Sequence, residues 1–468
     1  MVTSMDPNTT SAAGKPGGWK TFLIIWAGQL VSLLGSGLSG FALGLWVLRS
    51  TGSVTRFALI AACTLGPRIF LSPVTGALAD RWDRRRTMLA SELAAALVTL
   101  NMAILLALGH LSVWQIYVSM AAISVCSAFQ WPAWAASITL LVGKNDFGRA
   151  SGLVQIAQGL AQTLAPVIAG SMIVSKPGVV GILVVDLCSY LFAAVTLALV
   201  RIPRPVVTSM PEQGETPQPS LGRDIAYGWK YLVARPGLIG LVLMVSACNF
   251  LLGAIMILVN PLVLSFSTPQ VLGTVMTTAG IGMFVGSAIM SATGGPRRRV
   301  RGMVVFLMLG GAALLPAALP PSPVMIATGA FLFLLSVPIA SGSMQAILQS
   351  KVDPAVQGRV FAFTGMAVSA AMPVAYLVSG PLADRFFEPW FAVGGPLAGS
   401  LGQWVGVGPG RGIAAAFVAC GFLLIAVTAA GYLHPRVRGL EEELPDATPD
   451  TNSDGPRIEW KVAHETAG

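Results

Sequence analysis

Long stretches without charged residues divide this 468-residue chain into membrane-length segments. Between Lys20 and Arg49 there are 28 uncharged residues, and a helix that crosses a bilayer needs about 20. The runs 236–296 and 302–350 contain 61 and 49 uncharged residues, and polar residues or prolines interrupt each run near its middle. Each of these two runs therefore predicts a pair of helices. Applied to the whole chain, the pattern predicts twelve membrane spans.

The composition agrees with a membrane protein. Charged residues make up 10% of the chain and apolar residues 54%, whereas soluble domains carry roughly 25% charged residues. Beyond this deficit, the net charge of +9 is explained by basic loops that face lipid headgroups. It therefore gives no reason to expect a nucleic-acid partner.

The distribution of basic residues predicts the orientation. Of the 29 lysines and arginines, 23 fall on the side of the predicted spans that holds both termini. Basic residues concentrate on the cytoplasmic side of membrane proteins, so we expect a multi-pass protein of the cell (inner or plasma) membrane with both termini in the cytoplasm. The basic residues expected on the outer side are Arg49, Arg56, Lys176, Arg385 and Arg411.

A polar, proline-rich connector at 203–222 separates six spans from six. From Arg223 to Arg235 the sequence predicts a short amphipathic helix at the membrane surface, anchored by Trp229 and Tyr231. After Arg436 the chain is acidic and poor in apolar residues, which predicts disorder. The expected units are an N-terminal segment 1–19, a half 20–202, a linker 203–235, a half 236–434 and a disordered tail 435–468.

The two halves resemble each other around two Gly-Arg pairs. Gly170 follows Arg149 by 21 residues, and Gly380 follows Arg359 by the same interval. In this register small residues recur every four positions in both segments, which is typical of a close-packing helix face; two unrelated alanine-rich spans are the alternative. We expect an all-α membrane protein of twelve transmembrane helices in two pseudo-symmetric six-helix halves, an organisation typical of secondary transporters.

The loop between spans 2 and 3 reads GALADRWDRRR from Gly76 to Arg86. It resembles the signature loop of the major facilitator superfamily, with Asp83 at a position where the family usually has glycine. The resemblance implies the major facilitator fold and a conformational latch in which Asp80 faces the positive N-terminal end of span 11. The corresponding loop of the second half, 294–301, has basic residues but no acid. The implied latch residues are Gly76, Asp80, Arg81, Arg84 and Arg85.

Span 5 resembles the antiporter motif of the superfamily's exporters. The positions that match are Ala161, Ala165, Pro166 and Gly170, with alanine at three of the family's glycine positions. Further similarity in spans 1, 10 and 11 points to the twelve-span drug:proton antiporter branch that includes macrolide-efflux proteins and siderophore (enterobactin-type) exporters. Asp384 and Arg385 repeat the letters of Asp80 and Arg81, but they fall on the outer side, so we expect no latch there.

Two ionisable residues deep in apolar spans are the candidates for proton coupling. Asp186 lies seven residues into span 6, about 10 Å along a helix, where an acid is costly and usually functional or paired. Arg68 lies at similar depth in span 2 and could pair with Asp186, attract an anionic group of the cargo or reach towards the interface. Glu92, near the cytoplasmic end of span 3, is expected to neutralise the basic run Arg84–Arg86.

Neutral polar side chains within the spans are the candidates for the cavity wall. Gln155, Gln158 and Gln162 share one face of span 5 by their spacing. The alternative is that such side chains join neighbouring helices. The full set of candidates is Gln29, Gln130, Gln155, Gln158, Gln162, Asn249, Asn260 and Gln345.

These patterns favour a monomeric exporter of amphiphilic small molecules, driven by proton antiport. A dedicated exporter of a siderophore or peptide metabolite, a proton-symport importer, and a membrane-embedded enzyme or lipid-handling protein are the alternatives. The sequence has no metalloprotease motif, no metal-ligand spacing and no P-loop, so we expect no enzyme activity, cofactor, metal or direct use of ATP.

Overall fold

The described part of the chain contains twelve helices long and apolar enough to cross a membrane, as the uncharged runs predict. The computed structural model describes residues 18–79, 82–142, 146–176, 178–200, 221–317, 321–352 and 356–443. Spans 1 to 6 are Gly18–Thr51, Val54–Ala79, Arg84–Ala107, Val113–Leu141, Phe147–Val174 and Gly178–Leu199. Spans 7 to 12 are Pro236–Leu264, Pro269–Thr293, Arg299–Ala317, Pro323–Lys351, Gln357–Leu382 and Arg411–Leu433. We call spans 1 to 6 the N half and spans 7 to 12 the C half.

The helices pack mainly within their own half, and two helix pairs join the halves. Span 2 packs against span 11, and span 5 packs against span 8. Because the number of spans is even, span 1 begins on the side of the bundle where span 12 ends. We call this the terminal side and the opposite one the far side.

Small residues allow span 1 to approach span 6 closely. A Cβ added to Gly28 would collide with the side chain of Thr196, and one added to Gly35 would collide with Ser189 and lie 2.9 Å from Oδ1 of Asp186. In lipid, helices associate largely through such close packing. These two glycines, seven residues apart on one face, therefore fix the contact that carries Asp186 to the centre of the N half.

A short helix is present in the linker where the sequence predicts one. Leu221–Val233 is helical, with Leu232 buried and Gly228 packed against the backbone of Arg359. The ring of Trp229 lies 5.8 Å from that of Phe363. The linker helix therefore lies against the beginning of span 11 on the terminal side.

The prediction of disorder after span 12 is wrong for residues 435–443. These residues form two short helices, Pro435–Arg438 and Leu440–Glu443, and Val437 and Leu440 are buried. The Glu441 carboxylate accepts hydrogen bonds from the backbone N–H groups of Arg299 (2.9 Å) and Val300 (3.3 Å). It thus caps span 9 and supplies the acid that loop 294–301 lacks. Residues 444–468 lie outside the described part of the chain.

Candidate transport site

A cavity of about 140 Å³ lies inside the N half. Its wall is mixed, and we call it the polar cavity because it contains more polar side chains than the cavity between the halves. Spans 1 to 6 all contribute to its wall, which combines amide, hydroxyl and guanidinium groups with indole rings. The wall includes Trp26, Gln29, Ser32, Ser36, Arg68, Gln130, Trp131, Gln158 and Tyr190.

Glu92 lies directly behind this wall and is fully buried. Its Oε1 accepts hydrogen bonds from Nε2 of Gln29 (2.8 Å) and of Gln130 (2.5 Å), and its Oε2 accepts one from Oγ of Ser32 (3.1 Å). The expectation that Glu92 neutralises the basic run of the loop is therefore wrong. At 1.5 Å per residue, the eight positions from Arg84 place Glu92 about 12 Å along span 3.

Asp186 belongs to the same polar interior. Its side chain is 1% exposed, and hydroxyl groups of Ser36, Thr99 and Ser189 each lie 3.5 Å from its carboxylate oxygens. Ser36 also donates to the hydroxyl of Tyr190 at 2.8 Å. Because Ser36 and Tyr190 line the cavity, Asp186 is one hydrogen bond removed from the cavity wall.

Arg68 lines the mouth of the cavity and is exposed there. Its guanidinium carbon lies 5.6 Å from the centre of the Trp131 ring, a cation–π contact. No ion pair joins Arg68 to Asp186 within the described part of the chain. This position agrees with the prediction that Arg68 attracts an anionic group of the cargo, and it disagrees with the prediction that Arg68 pairs with Asp186.

The structure brings together only some of the predicted cavity residues. Gln29, Gln130 and Gln158 line the cavity. Gln155 and Gln162 are exposed and do not contribute to its wall, so only one of the three glutamines on this face of span 5 lines the cavity. Asn249, Asn260 and Gln345 belong to the C half. Asn249 and Asn260 donate to carbonyls four residues earlier in their own helix, and Asn260 also lines a second cavity, between the halves. Gln345 is exposed.

A second cavity, of about 240 Å³, lies between the halves and is mainly apolar. It begins one helical turn beyond the polar cavity, since Gly40 follows Ser36 on span 1 and Thr64 precedes Arg68 on span 2. Its wall includes Phe41, Phe57, Leu264, Leu272 and Tyr376. A polar pocket and an apolar pocket thus adjoin along spans 1 and 2.

At the far side of the bundle, spans 5 and 8 pack closely across the interface between the halves. A Cβ on Gly170 would lie 2.7 Å from the carbonyl oxygen of Pro269, and one on Gly273 would lie 2.9 Å from that of Pro166. The hydroxyl of Thr277 donates across the interface to the Thr163 carbonyl at 3.0 Å. Pro166 and Gly170 of the antiporter-like motif are therefore part of the contact between spans 5 and 8.

The other two residues of that motif pack inside the N half. Ala161 and Ala165 are buried, and a Cβ on Gly37 of span 1 would lie 2.8 Å from the Cβ of Ala165. The motif thus joins span 5 to span 1 on one face and to span 8 on another.

The predicted latch falls partly outside the described residues. Asp80 and Arg81 lie in the gap after span 2, and Gly76 lies in span 2 itself. Arg84 donates to the carbonyl of Ala136 (2.6 Å), and Arg85 donates to the carbonyls of Leu197 (2.8 Å) and Ala198 (2.6 Å). Both arginines thus bind helices of their own half, and neither makes the contact between halves that the resemblance implies.

The loop needs no glycine at position 83. Asp83 has φ −65° and its side chain accepts from the backbone N–H of Arg86 at 3.1 Å, so it is the N-cap of span 3. The repeat arginines differ in their contacts: Arg149 pairs with Asp146 at 3.2 Å, and the guanidinium of Arg359 lies 5.4 Å from the ring of Tyr227.

The sequence contained a signal for Glu92. Gln29, Ser32 and Ser36 follow a spacing of three and then four residues, which makes one polar stripe on an otherwise apolar helix. Such a stripe requires a polar partner on a neighbouring span. Over the stretches that the structure describes, no group of three or more His, Cys, Asp or Glu side chains could hold a metal ion.

The fold and cavity define a membrane transporter built from two six-helix halves. The sequence profile of the Major Facilitator Superfamily matches residues 25–376, and the chain belongs to this superfamily. It is 28% identical over 390 residues to macrolide efflux protein A of Streptococcus pyogenes, covering 81% of this chain and 94% of that protein. It is also 28% identical over 375 residues to the multidrug efflux pump Tap of Mycobacterium tuberculosis, covering 78% and 87%.

Solved structures share the fold at low sequence identity. A bacterial homologue of the human lysosomal transporter Spinster, in an inward-facing and unoccupied conformation, superposes with a TM-score of 0.68 at 14% identity, covering 92% of this chain and 99% of that one. The nucleoside transporter NupG superposes with a TM-score of 0.63 at 14% identity, covering 88% and 100%.

Proposed function

We propose that this chain exports amphiphilic small molecules across the cell membrane by proton antiport and alternating access. The observation that carries the proposal is the pair of buried acids, Glu92 and Asp186, behind the wall of the N-half cavity. Among the described residues neither acid has a basic partner at ion-pair distance; their hydrogen-bond partners are neutral amides and hydroxyls. Acids held in this way within a membrane protein are typical of proton pathways.

The two adjoining cavities support an amphiphilic cargo. The polar cavity of about 140 Å³ is smaller than the roughly 300–1,000 Å³ of pockets that enclose drug-sized ligands. A cargo of that size would therefore place its polar group near Gln29 and Gln130 and its apolar body in the neighbouring cavity between the halves. The relatives named as macrolide and multidrug efflux proteins favour the same class of cargo.

The distribution of basic residues supports an orientation with the terminal side in the cytoplasm. The five basic residues expected outside all lie at far-side ends of the described spans or in the loops between them. In this orientation the contacts between spans 5 and 8 and between spans 2 and 11 face outwards, which supports a conformation that precedes the release of cargo. The Asp80 latch on the terminal side remains a prediction for the opposite conformation.

Arg68 favours a second candidate, the export of an anionic metabolite such as a siderophore or an acidic peptide. Its guanidinium is exposed at the cavity mouth, where it could pair with a carboxylate, catecholate or hydroxamate group of the cargo. The two candidates differ in the charge of the cargo and share the transport mechanism.

The test uses inside-out membrane vesicles whose lumen is acidified by respiration. A macrolide, the amphiphilic cation ethidium and an anionic catecholate siderophore are added separately while the lumenal pH is followed. Antiport predicts that a transported cargo raises the lumenal pH, because protons leave as cargo enters. Accumulation of cargo with no change in lumenal pH would contradict proton antiport, and a response to the siderophore alone would favour the second candidate.

A further inference from the structure

Span 2 begins against an acid from the other half of the protein. Oδ1 of Asp384 accepts a hydrogen bond from the backbone N–H of Val54 at 3.0 Å, and Oδ2 accepts from the N–H of Thr55 at 2.8 Å. The hydroxyl of Ser53 donates to Oδ2 at 2.7 Å. One carboxylate of the C half therefore holds the first turn of an N-half helix, where N–H groups are otherwise unsatisfied and the helix dipole is positive.

The backbones meet closely beside this contact. A Cβ added to Gly380 of span 11 would lie 2.6 Å from the Cα of Thr55, so only glycine fits without a shift. Gly170 makes the corresponding approach to Pro269 at the other helix pair. Glycines thus permit close contacts between the halves at both helix pairs of the far side. Among the described residues, the contact at span 11 also has a carboxylate that accepts three hydrogen bonds.

The sequence around Asp384 repeats the loop after span 2. Residues 380–385 read GPLADR and residues 76–81 read GALADR, identical at five of six positions. Spans 2 and 11 run in opposite directions, so the two copies fall at opposite ends of the same helix pair. Because the copy around Asp384 falls on the outer side, no latch is expected there. In the structure, however, Asp384 bridges the halves.

We propose that Asp384 is the far-side latch of the transport cycle: its contact with Ser53, Val54 and Thr55 holds the far side closed and must break before that side opens. This proposal rests on the alternating access proposed above. It does not depend on the cargo or on proton coupling.

Glu388, one turn further along, provides a matched control. Its carboxylate accepts from the backbone N–H groups of Gly410 (3.2 Å) and Ile413 (2.9 Å), and so caps the start of span 12. Glu388 and span 12 both belong to the C half. Both acids thus accept hydrogen bonds from backbone N–H groups at the start of a helix. Asp384 does so between the halves, and Glu388 does so within the C half.

The experiment is hydrogen–deuterium exchange with mass spectrometry on the purified full-length protein, comparing Asp384→Ala with Glu388→Ala. The diagnostic peptides cover 163–174 and 269–277, the far-side ends of spans 5 and 8, which Asp384 does not touch. Loss of a latch exposes these backbones together with the start of span 2. We expect exchange there to become about tenfold faster in Asp384→Ala, since hydrogen bonds to a charged group are among the stronger ones.

Glu388→Ala should accelerate exchange only around the start of span 12. Faster exchange in Asp384→Ala that is confined to the start of span 2 would overturn the proposal, because Asp384 would then be a local cap. If Asp384→Ala exchanges rapidly throughout the chain, it is unfolded, and Asp384→Asn replaces it in the comparison. We expect the exchange rate at the far-side ends of spans 5 and 8 to increase about threefold in that variant. No increase at those spans in the asparagine variant would overturn the proposal equally.

Discussion

The two halves share one architecture but differ in what they bury. The N half holds two buried acids, the polar cavity and Arg68, whereas the buried polar residues described in the C half are serines and threonines. Its asparagines Asn249 and Asn260 bond to their own helices, and its interior is one large apolar cluster. Both halves therefore supply six-helix frames, while the buried acids that we propose for proton coupling belong to the N half alone among the described residues.

Among the substitutions that test this difference between the halves, Glu92→Gln is expected to have the largest effect. An amide keeps most of the volume and hydrogen bonds of Glu92 but cannot bind or release a proton. We expect substrate-driven proton flux in inside-out vesicles to fall by about a hundredfold, within the usual contribution of a positioned proton-transfer group. Asn249→Ala in the C half is the control and should stay within about twofold of the wild type. Equal losses in both variants would contradict the division of labour.

Asp186→Asn tests the second acid. Asp186 is joined to the cavity wall by the hydroxyl of Ser36, at 3.5 Å, whereas Glu92 accepts three shorter hydrogen bonds from wall residues. We expect proton flux to fall about tenfold, with cargo binding retained because no contact to the cavity is lost. Flux and binding are measured on the same vesicles, and unchanged flux would remove Asp186 from the pathway.

Gly170 and Gly380, the equivalent glycines of the two repeats, test whether both helix pairs between the halves contribute equally to transport. Gly170→Ala and Gly380→Ala each force a shift at a contact between halves, whereas Gly159 and Gly365 have open space where a Cβ would lie. We expect transport rates to fall about tenfold in the first two and to stay within about twofold in Gly159→Ala and Gly365→Ala. A loss in only one of the interface variants would mean that the two helix pairs do not move together.

Arg68→Gln sharpens the assignment of cargo to the N half. For an anionic cargo we expect the KM to rise about tenfold with little change in kcat, since a guanidinium pairs with a bound anion. For a cationic cargo the KM should stay equal or fall. Transport assays with both probe classes distinguish these outcomes, and an unchanged KM for both would place Arg68 outside the binding site.

The smallest expected effect concerns how each half caps its equivalent helix. Span 3 is capped by the adjacent Asp83, and span 9 by Glu441 from after span 12. Removing an N-cap costs about 1 kcal/mol, so Glu441→Ala should lower the thermal unfolding midpoint by a few degrees and leave transport intact. Glu442→Ala, which alters an exposed neighbour, is the control. An equal shift in both would argue against a specific cap.

The sequence predicted the features that depend on local composition. Uncharged run lengths gave the twelve spans, and the spacing from Arg149 to Gly170 and from Arg359 to Gly380 located two glycines that the structure places at equivalent contacts between halves. The sequence distance from Glu92 to the basic run Arg84–Arg86 is short, and it led to a wrong prediction of the partner of Glu92. The helix places Glu92 about two turns along span 3, beside Gln29, Ser32 and Gln130. The partners of Asp384 and Glu441 lie 329 to 331 and 141 to 142 residues away, and no local pattern encodes such contacts.

The most direct test of the account measures proton flux and cargo binding together in the Glu92→Gln, Asp186→Asn double variant. Inside-out vesicles containing the wild-type protein should respond to a transported cargo with a rise in lumenal pH. In the double variant we expect cargo still to bind at the N-half cavity while the pH response disappears. A pH response of wild-type size in the double variant would contradict the claim that the N half carries the proton.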